Sequence, residues 1–122
     1  MPFSFKKFAV SLRRAATAVV TALQEEQNFR FQVIAGVVAI AGSIWLGVDS
    51  LELAIVIGAA VAVPTMELVN SATERLVDMA QPRVHHYAAA VKNMMAGAVL
   101  LTAVAATLVI LLVVWPYLVV AP

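Results

Sequence analysis

The sequence predicts an all-α integral membrane protein, with an N-terminal amphipathic helix on the membrane surface and three transmembrane helices behind it. Three observations carry this. The 122 residues are 63% hydrophobic and 12% charged, about half the charge that covers a water-soluble domain of this size. Three stretches are long and apolar enough to cross a bilayer, which takes about 20 helical residues. All eight Lys and Arg residues fall into two segments that those stretches separate. The chain has no cysteine, which excludes disulfides, thiolate metal sites and a cysteine nucleophile. A net charge of +1 speaks against a nucleic-acid partner, whose binding needs a strong basic surplus.

The first element is expected over residues 3–28. There Lys6, Lys7, Arg13 and Arg14 alternate with Phe8, Val10, Leu12, Val19, Val20 and Leu23, the pattern of a helix lying on anionic headgroups. No apolar core leads from the N-terminus to a small-residue cleavage site, so this segment is expected to be retained. The first transmembrane helix is expected over 29–48, with no charge from Phe31 to Val48. The second is expected over 52–74, where Glu67 is the one charge between Leu53 and Thr73. The short GVDSLE turn between them suits an antiparallel hairpin. A cytoplasmic link over 75–92, containing Pro82, leads to a third helix over 93–116 that Pro116 is expected to end. Gly36, Gly42, Gly58 and Gly97 lie inside the spans, where small residues let helices approach closely.

Lys6, Lys7, Arg13, Arg14, Arg30, Arg75, Arg83 and Lys92 all lie in or beside the N-terminal segment or the second link, and the GVDSLE turn and the C-terminal tail carry none. The positive-inside rule therefore puts the N-terminus in the cytoplasm. Trp45 and Trp115 lie at the opposite ends of their helices, where aromatic belts form.

Glu67 is out of place in its span, since a carboxylate at that depth costs about 2.5–3.5 kcal/mol to insert. It opens a series, Glu67, Asn70, Glu74 and Asp78, whose steps of three and four residues share one face of a helix. This polar stripe runs from the membrane interior to its cytoplasmic surface. The QEEQNFR cluster, Gln24 to Arg30, meets the same membrane face. Carboxylates so placed suit Mg²⁺, which takes one or two of them and completes its shell with water and phosphate oxygens. Lys92 offers a point charge for phosphate, and a buried Glu67 is the residue type a general base requires. Metal, phosphate clamp and base at a membrane surface describe phosphoryl transfer to a lipid hydroxyl. No Walker loop or GxGxxG is present, which excludes the soluble kinase folds. His85 and His86 are adjacent, poorly placed to share a metal, and are read as loop residues.

At these residues the sequence resembles the prokaryotic diacylglycerol kinase family, which includes the undecaprenol kinases. MELVNSATERLVD, Met66 to Asp78, is similar to the family's E-x-x-N-[TS]-A-x-E-x-x-x-D signature. EEQNFRF from Glu25 resembles its E-E-x-N-F-R segment, and VKNMMAGAVLL from Val91 its A-K-D-x-x-A-G-A-V-L-L. The resemblance covers roughly Leu23 to Pro116. It implies a homotrimer with composite active sites in the inner membrane of a bacterial cell. It also implies roles: Glu67 as catalytic base with Asn70 beside it, Glu26 and Glu74 as ligands of the divalent metal, and Asp78, Lys92 and Asn93 at the nucleotide. Arg30 and Glu67 would face the lipid substrate. The chain departs from the pattern at Asn93, where the family has Asp, at Thr73, and at Pro64, one turn from Glu67, which is expected to kink the helix.

The expected reaction is transfer of phosphate from ATP, with Mg²⁺, to a membrane lipid alcohol, diacylglycerol or undecaprenol. A small proton-coupled transporter is the alternative, because a lone intramembrane Glu also marks proton relays. The apolar run from Leu53 to Val63 argues against a polar path across the membrane. A catalytically inactive relative of the family is the third reading.

Overall fold

The computed structural model describes residues 2–80 and 85–120, excluding the side chain of His85. They form four helices: α1 (Phe5–Glu25), α2 (Gln27–Leu46), α3 (Ser50–Ala80) and α4 (His85–Val120). The last three are long and apolar enough to cross a membrane. At 31 and 36 residues, α3 and α4 are about 46 and 54 Å long, well beyond a hydrocarbon core of about 30 Å.

The helix limits follow from local chemistry. Ser4 caps α1, its hydroxyl accepting from the Lys7 N–H at 3.4 Å. Glu26 alone separates α1 from α2, in extended conformation (φ −109°, ψ 111°), so the expected 3–28 helix is broken within its last turn. Gly47 ends α2 in the left-handed region (φ 76°). Its N–H reaches the Ile44 carbonyl at 3.1 Å and that of Val48 the Ser43 carbonyl at 3.3 Å, a glycine cap that non-glycine residues resist. Asp49 then starts α3 by accepting the Glu52 N–H at 2.8 Å, a bond that also holds the Asp49 carboxyl below the usual carboxylate range.

Two helical limits differ from expectation. Most of the 75–92 link is helical. ATERLVDMA ends α3 and HHYAAAVK opens α4, and Ala, Glu, Arg, Leu, Met and Lys all favour that state. His85 and His86 are accordingly the first residues of α4, while Pro82 and Arg83 lie outside the described residues. Pro116 does not end α4, which continues to Val120. A proline removes one ladder bond, and four more residues remain helical beyond it.

α3 is the central helix, packing broadly on α2 and α4, which touch each other little. It also runs unbroken through Pro64. Pro64 has no N–H, so the carbonyl of Ala60, four residues back, loses its ladder partner. That oxygen points at Gly36 on α2. A Cβ there would stand 3.2 Å from the Ala60 oxygen and 3.3 Å from the Ala60 Cβ. Proline on one helix and glycine on the other thus meet at a close approach of α2 and α3. Val56 on α3 and Ser43 on α2 are fully buried, and Ser43 returns its hydroxyl to the Ala39 carbonyl at 2.7 Å. Much of the apolar surface faces outward: Phe31, Trp45, Leu101 and Leu112 are all exposed.

Candidate active site

The stripe read from the sequence lies on α3 as one face, ending two residues before the helix does. Glu67 is 7% exposed, one of two buried polar residues among those described. Its Oε2 accepts a hydrogen bond from Gln32 Nε2 on α2 at 3.3 Å. One turn on, Asn70 gives its amide to Glu74 Oε1 at 3.5 Å. Both amides thus turn their NH₂ toward a carboxylate. Their carbonyl oxygens, Gln32 Oε1 and Asn70 Oδ1, are left buried with no hydrogen-bond partner.

The α1–α2 break brings a second acidic group to the same place. Glu26 Oε2 accepts from the Ser71 hydroxyl on α3 at 2.6 Å. Arg75 stands 3.8 Å from Glu26 Oε1 and 3.9 Å from Glu25. Between them lies a cleft of about 430 Å³ lined by Glu26, Gln27, Asn28, Glu67, Ser71, Glu74, Arg75 and Asp78. Farther along α3, Asp78 takes the Lys92 ammonium of α4 at 2.6 Å, which extends the polar surface to α4.

Glu26, Glu67, Glu74 and Asp78 therefore share one cleft, with Asn70 and Lys92 bonded to its members. Two expected residues stand apart. Arg30 does not line the cleft. Its Nη1 instead donates to the main-chain carbonyls of Leu23 (3.2 Å) and Gln24 (2.9 Å) at the end of α1. Asn93 is exposed on α4 beside Lys92, and among the described residues nothing bonds its side chain. Three residues went without a role at the sequence level. Ser71 and Asn28 lie inside the matched motifs, which was a usable signal. Gln32 lies in an otherwise apolar run, and only the helix crossing shows that it meets Glu67.

Among the described residues no three carboxylate or imidazole groups converge on one metal position. Of the four carboxylates that border the cleft, Glu26 and Glu74 form a donor pair that fits Mg²⁺, which keeps waters and phosphate oxygens in its remaining positions.

Fold and site define a helical protein with three bilayer-length helices and a buried carboxyl bordering an acidic cleft. The particular family follows from comparison. The model of the prokaryotic diacylglycerol kinase family matches residues 13–114, and the chain belongs to that family. It is 35% identical over 101 residues to the diacylglycerol kinase of Synechocystis, an alignment covering 82% of this chain and 58% of that protein. The chain thus spans little more than half the length of this relative. It is 28% identical over 92 residues to the diacylglycerol kinase of Escherichia coli K12, with 75% of each chain covered.

Proposed function

We propose that the protein is an ATP-dependent lipid kinase that phosphorylates the hydroxyl of diacylglycerol or undecaprenol at the cytoplasmic face of the bacterial inner membrane. The observation that carries this is the depth profile of one helix. α3 holds a buried carboxyl at Glu67 and, eleven residues on, the Asp78–Lys92 pair, with the acidic cleft between them. A lipid hydroxyl needs the first, a nucleotide the second. Three bilayer-length helices, the family and the names of the relatives support the same reading. In an N-terminus-in orientation α1 lies on the membrane, with Lys6, Lys7, Arg13 and Arg14 at the headgroups.

In this mechanism Glu67 accepts the hydroxyl proton as the lipid oxygen attacks the γ-phosphorus of ATP. The new P–O bond forms as the bond to ADP breaks, and the proton leaves Glu67 through the cleft. Asn70 holds Glu74 in place, Ser71 holds Glu26, and Lys92, set by Asp78, neutralises phosphate charge. Glu26 and Glu74 would hold Mg²⁺, which would supply charge neutralisation to the phosphate oxygens. The exposed apolar faces of α2 and α4 suit assembly, as a homotrimer, in the membrane. The transporter alternative lacks support, since α3 carries no polar side chain from Leu53 to Val63.

The test is ATP consumption by the purified protein in detergent micelles, with diacylglycerol and undecaprenol offered separately. Lipid-dependent ADP release with one of them is expected. No turnover with either, at saturating Mg²⁺, would leave an inactive relative as the correct reading.

A further inference from the structure

We infer that Arg30 is a positioning residue, locking the elbow between α1 and α2 and so fixing where the Glu26 carboxylate stands. The inference rests on the kinase reading and deepens it. Glu26 is the single non-helical residue between two long helices, so its side chain goes wherever the elbow puts it. Breaking a helix strands the carbonyls of its last turn. The Glu26 N–H satisfies Ala22, at 2.9 Å. Leu23, Gln24 and Glu25 would be left, and α1 has no basic residue in its own last turn to reach them.

Arg30 supplies what is missing. It sits one turn into α2, where its backbone N–H bonds the Glu26 carbonyl at 3.1 Å. From there its Nη1 reaches back to two of them, Leu23 and Gln24, at 3.2 and 2.9 Å. A guanidinium at a helix C-terminus also meets the negative end of the helix dipole. Arg30 therefore holds the two helices on either side of Glu26, while Ser71 holds the Glu26 carboxylate from α3 at 2.6 Å. Gln27 and Asn28 border the cleft and Arg30 does not. Its charge is spent on the elbow and not on a substrate.

The test compares wild type with Arg30→Met, which keeps the stem and removes the donors, and Arg30→Lys, which keeps a cationic donor. Three quantities are read in micelles: the Mg²⁺ concentration for half-maximal rate, the KM for lipid, and amide hydrogen exchange over residues 22–26. Arg30→Met is expected to raise the Mg²⁺ requirement about tenfold, as loss of a group that orients a metal ligand does. Lipid KM should stay within about twofold, exchange over 22–26 should accelerate, and Arg30→Lys should recover part of each change. A raised lipid KM with an unchanged Mg²⁺ requirement would overturn the inference and return Arg30 to substrate binding. Unchanged exchange in both variants would also overturn it. If Arg30→Met fails to assemble, Arg30→Lys carries the same measurements at smaller amplitude. Mn²⁺–ATP binding followed by electron paramagnetic resonance reads the Glu26 site without turnover. A wild type that lacks kinase activity yet shows the exchange and Mn²⁺ changes on substitution would therefore sink the kinase reading and keep the elbow.

Discussion

Replacing Glu67 by Gln should separate catalysis from stability, lowering the first without lowering the second. The Glu67 carboxyl is 7% exposed, and the bond it accepts from Gln32, at 3.3 Å, is long. Hydrogen bonds of this type are strong nearer 2.9 Å, so a charge here is poorly compensated. An amide at position 67 keeps an oxygen able to accept the same bond. It sheds part of an insertion cost of about 2.5–3.5 kcal/mol, since the amide keeps a polar cost of its own, and forfeits about 1 kcal/mol of charge assistance. The assembled variant should be unchanged or more stable, by up to about 2 kcal/mol. It has no basic group for the lipid hydroxyl, and turnover should fall about a hundredfold or more, which is about 2.7 kcal/mol on the barrier. Initial rates of lipid phosphorylation and thermal unfolding, both in the same micelles, measure the two effects. Near-normal turnover in an assembled Glu67→Gln protein would remove Glu67 from the mechanism. A strongly destabilised variant would refute the argument from burial.

Glu26→Ala and Glu74→Ala should each raise the Mg²⁺ needed for half-maximal rate, and an unchanged Mg²⁺ dependence in both would count against their assignment as ligands. Wild type should be active despite Asn93, with Asn93→Asp improving rate or ATP affinity by no more than about tenfold, or 1.4 kcal/mol. An inactive wild type rescued by Asn93→Asp would show that the charge at this position is indispensable. Gly36→Val should destabilise the assembled protein by about 1–3 kcal/mol, because a Cβ already meets the Ala60 backbone at 3.2 Å and a backbone oxygen cannot rotate away. Unfolding at wild-type temperature would mean that the α2–α3 crossing gives way more readily than this contact suggests.

The acidic face was legible because helical periodicity alone aligns Glu67, Asn70, Glu74 and Asp78, whatever surrounds them. The fold class was legible for a similar reason, since apolar runs of bilayer length admit few structures. What stayed hidden depended on contacts between helices. Glu25, Glu26 and Gln27 are ordinary helix residues, and no glycine or proline announces a break at Glu26. Without the break, Leu23 and Gln24 would have no stranded carbonyls and Arg30 no reason to turn away from the cleft. Gln32 read as a lone polar residue in an apolar run until the crossing set it against Glu67. Pro64 stood out beside the site in the sequence, but only the crossing shows that the carbonyl it frees lies against Gly36 on a neighbouring helix.

That continuity makes α3 a ruler. From Glu67 to Asp78 the chain is one uninterrupted helical rod, about 16 Å along its axis, with no proline or glycine at which it could flex. In the proposed kinase, Glu67 and Asp78 therefore keep a fixed separation along the rod. On that proposal the reactants come to fixed marks, the one at Glu67 deeper than the one at Asp78. Such a gauge measures how deep a hydroxyl sits beneath the headgroups and is blind to what trails beneath it. Lipid alcohols with quite different hydrocarbon tails should then be accepted alike, provided each can hold its oxygen at the depth of Glu67. Moving the reacting oxygen by a few ångströms along the membrane normal should matter more than doubling the length of the chain.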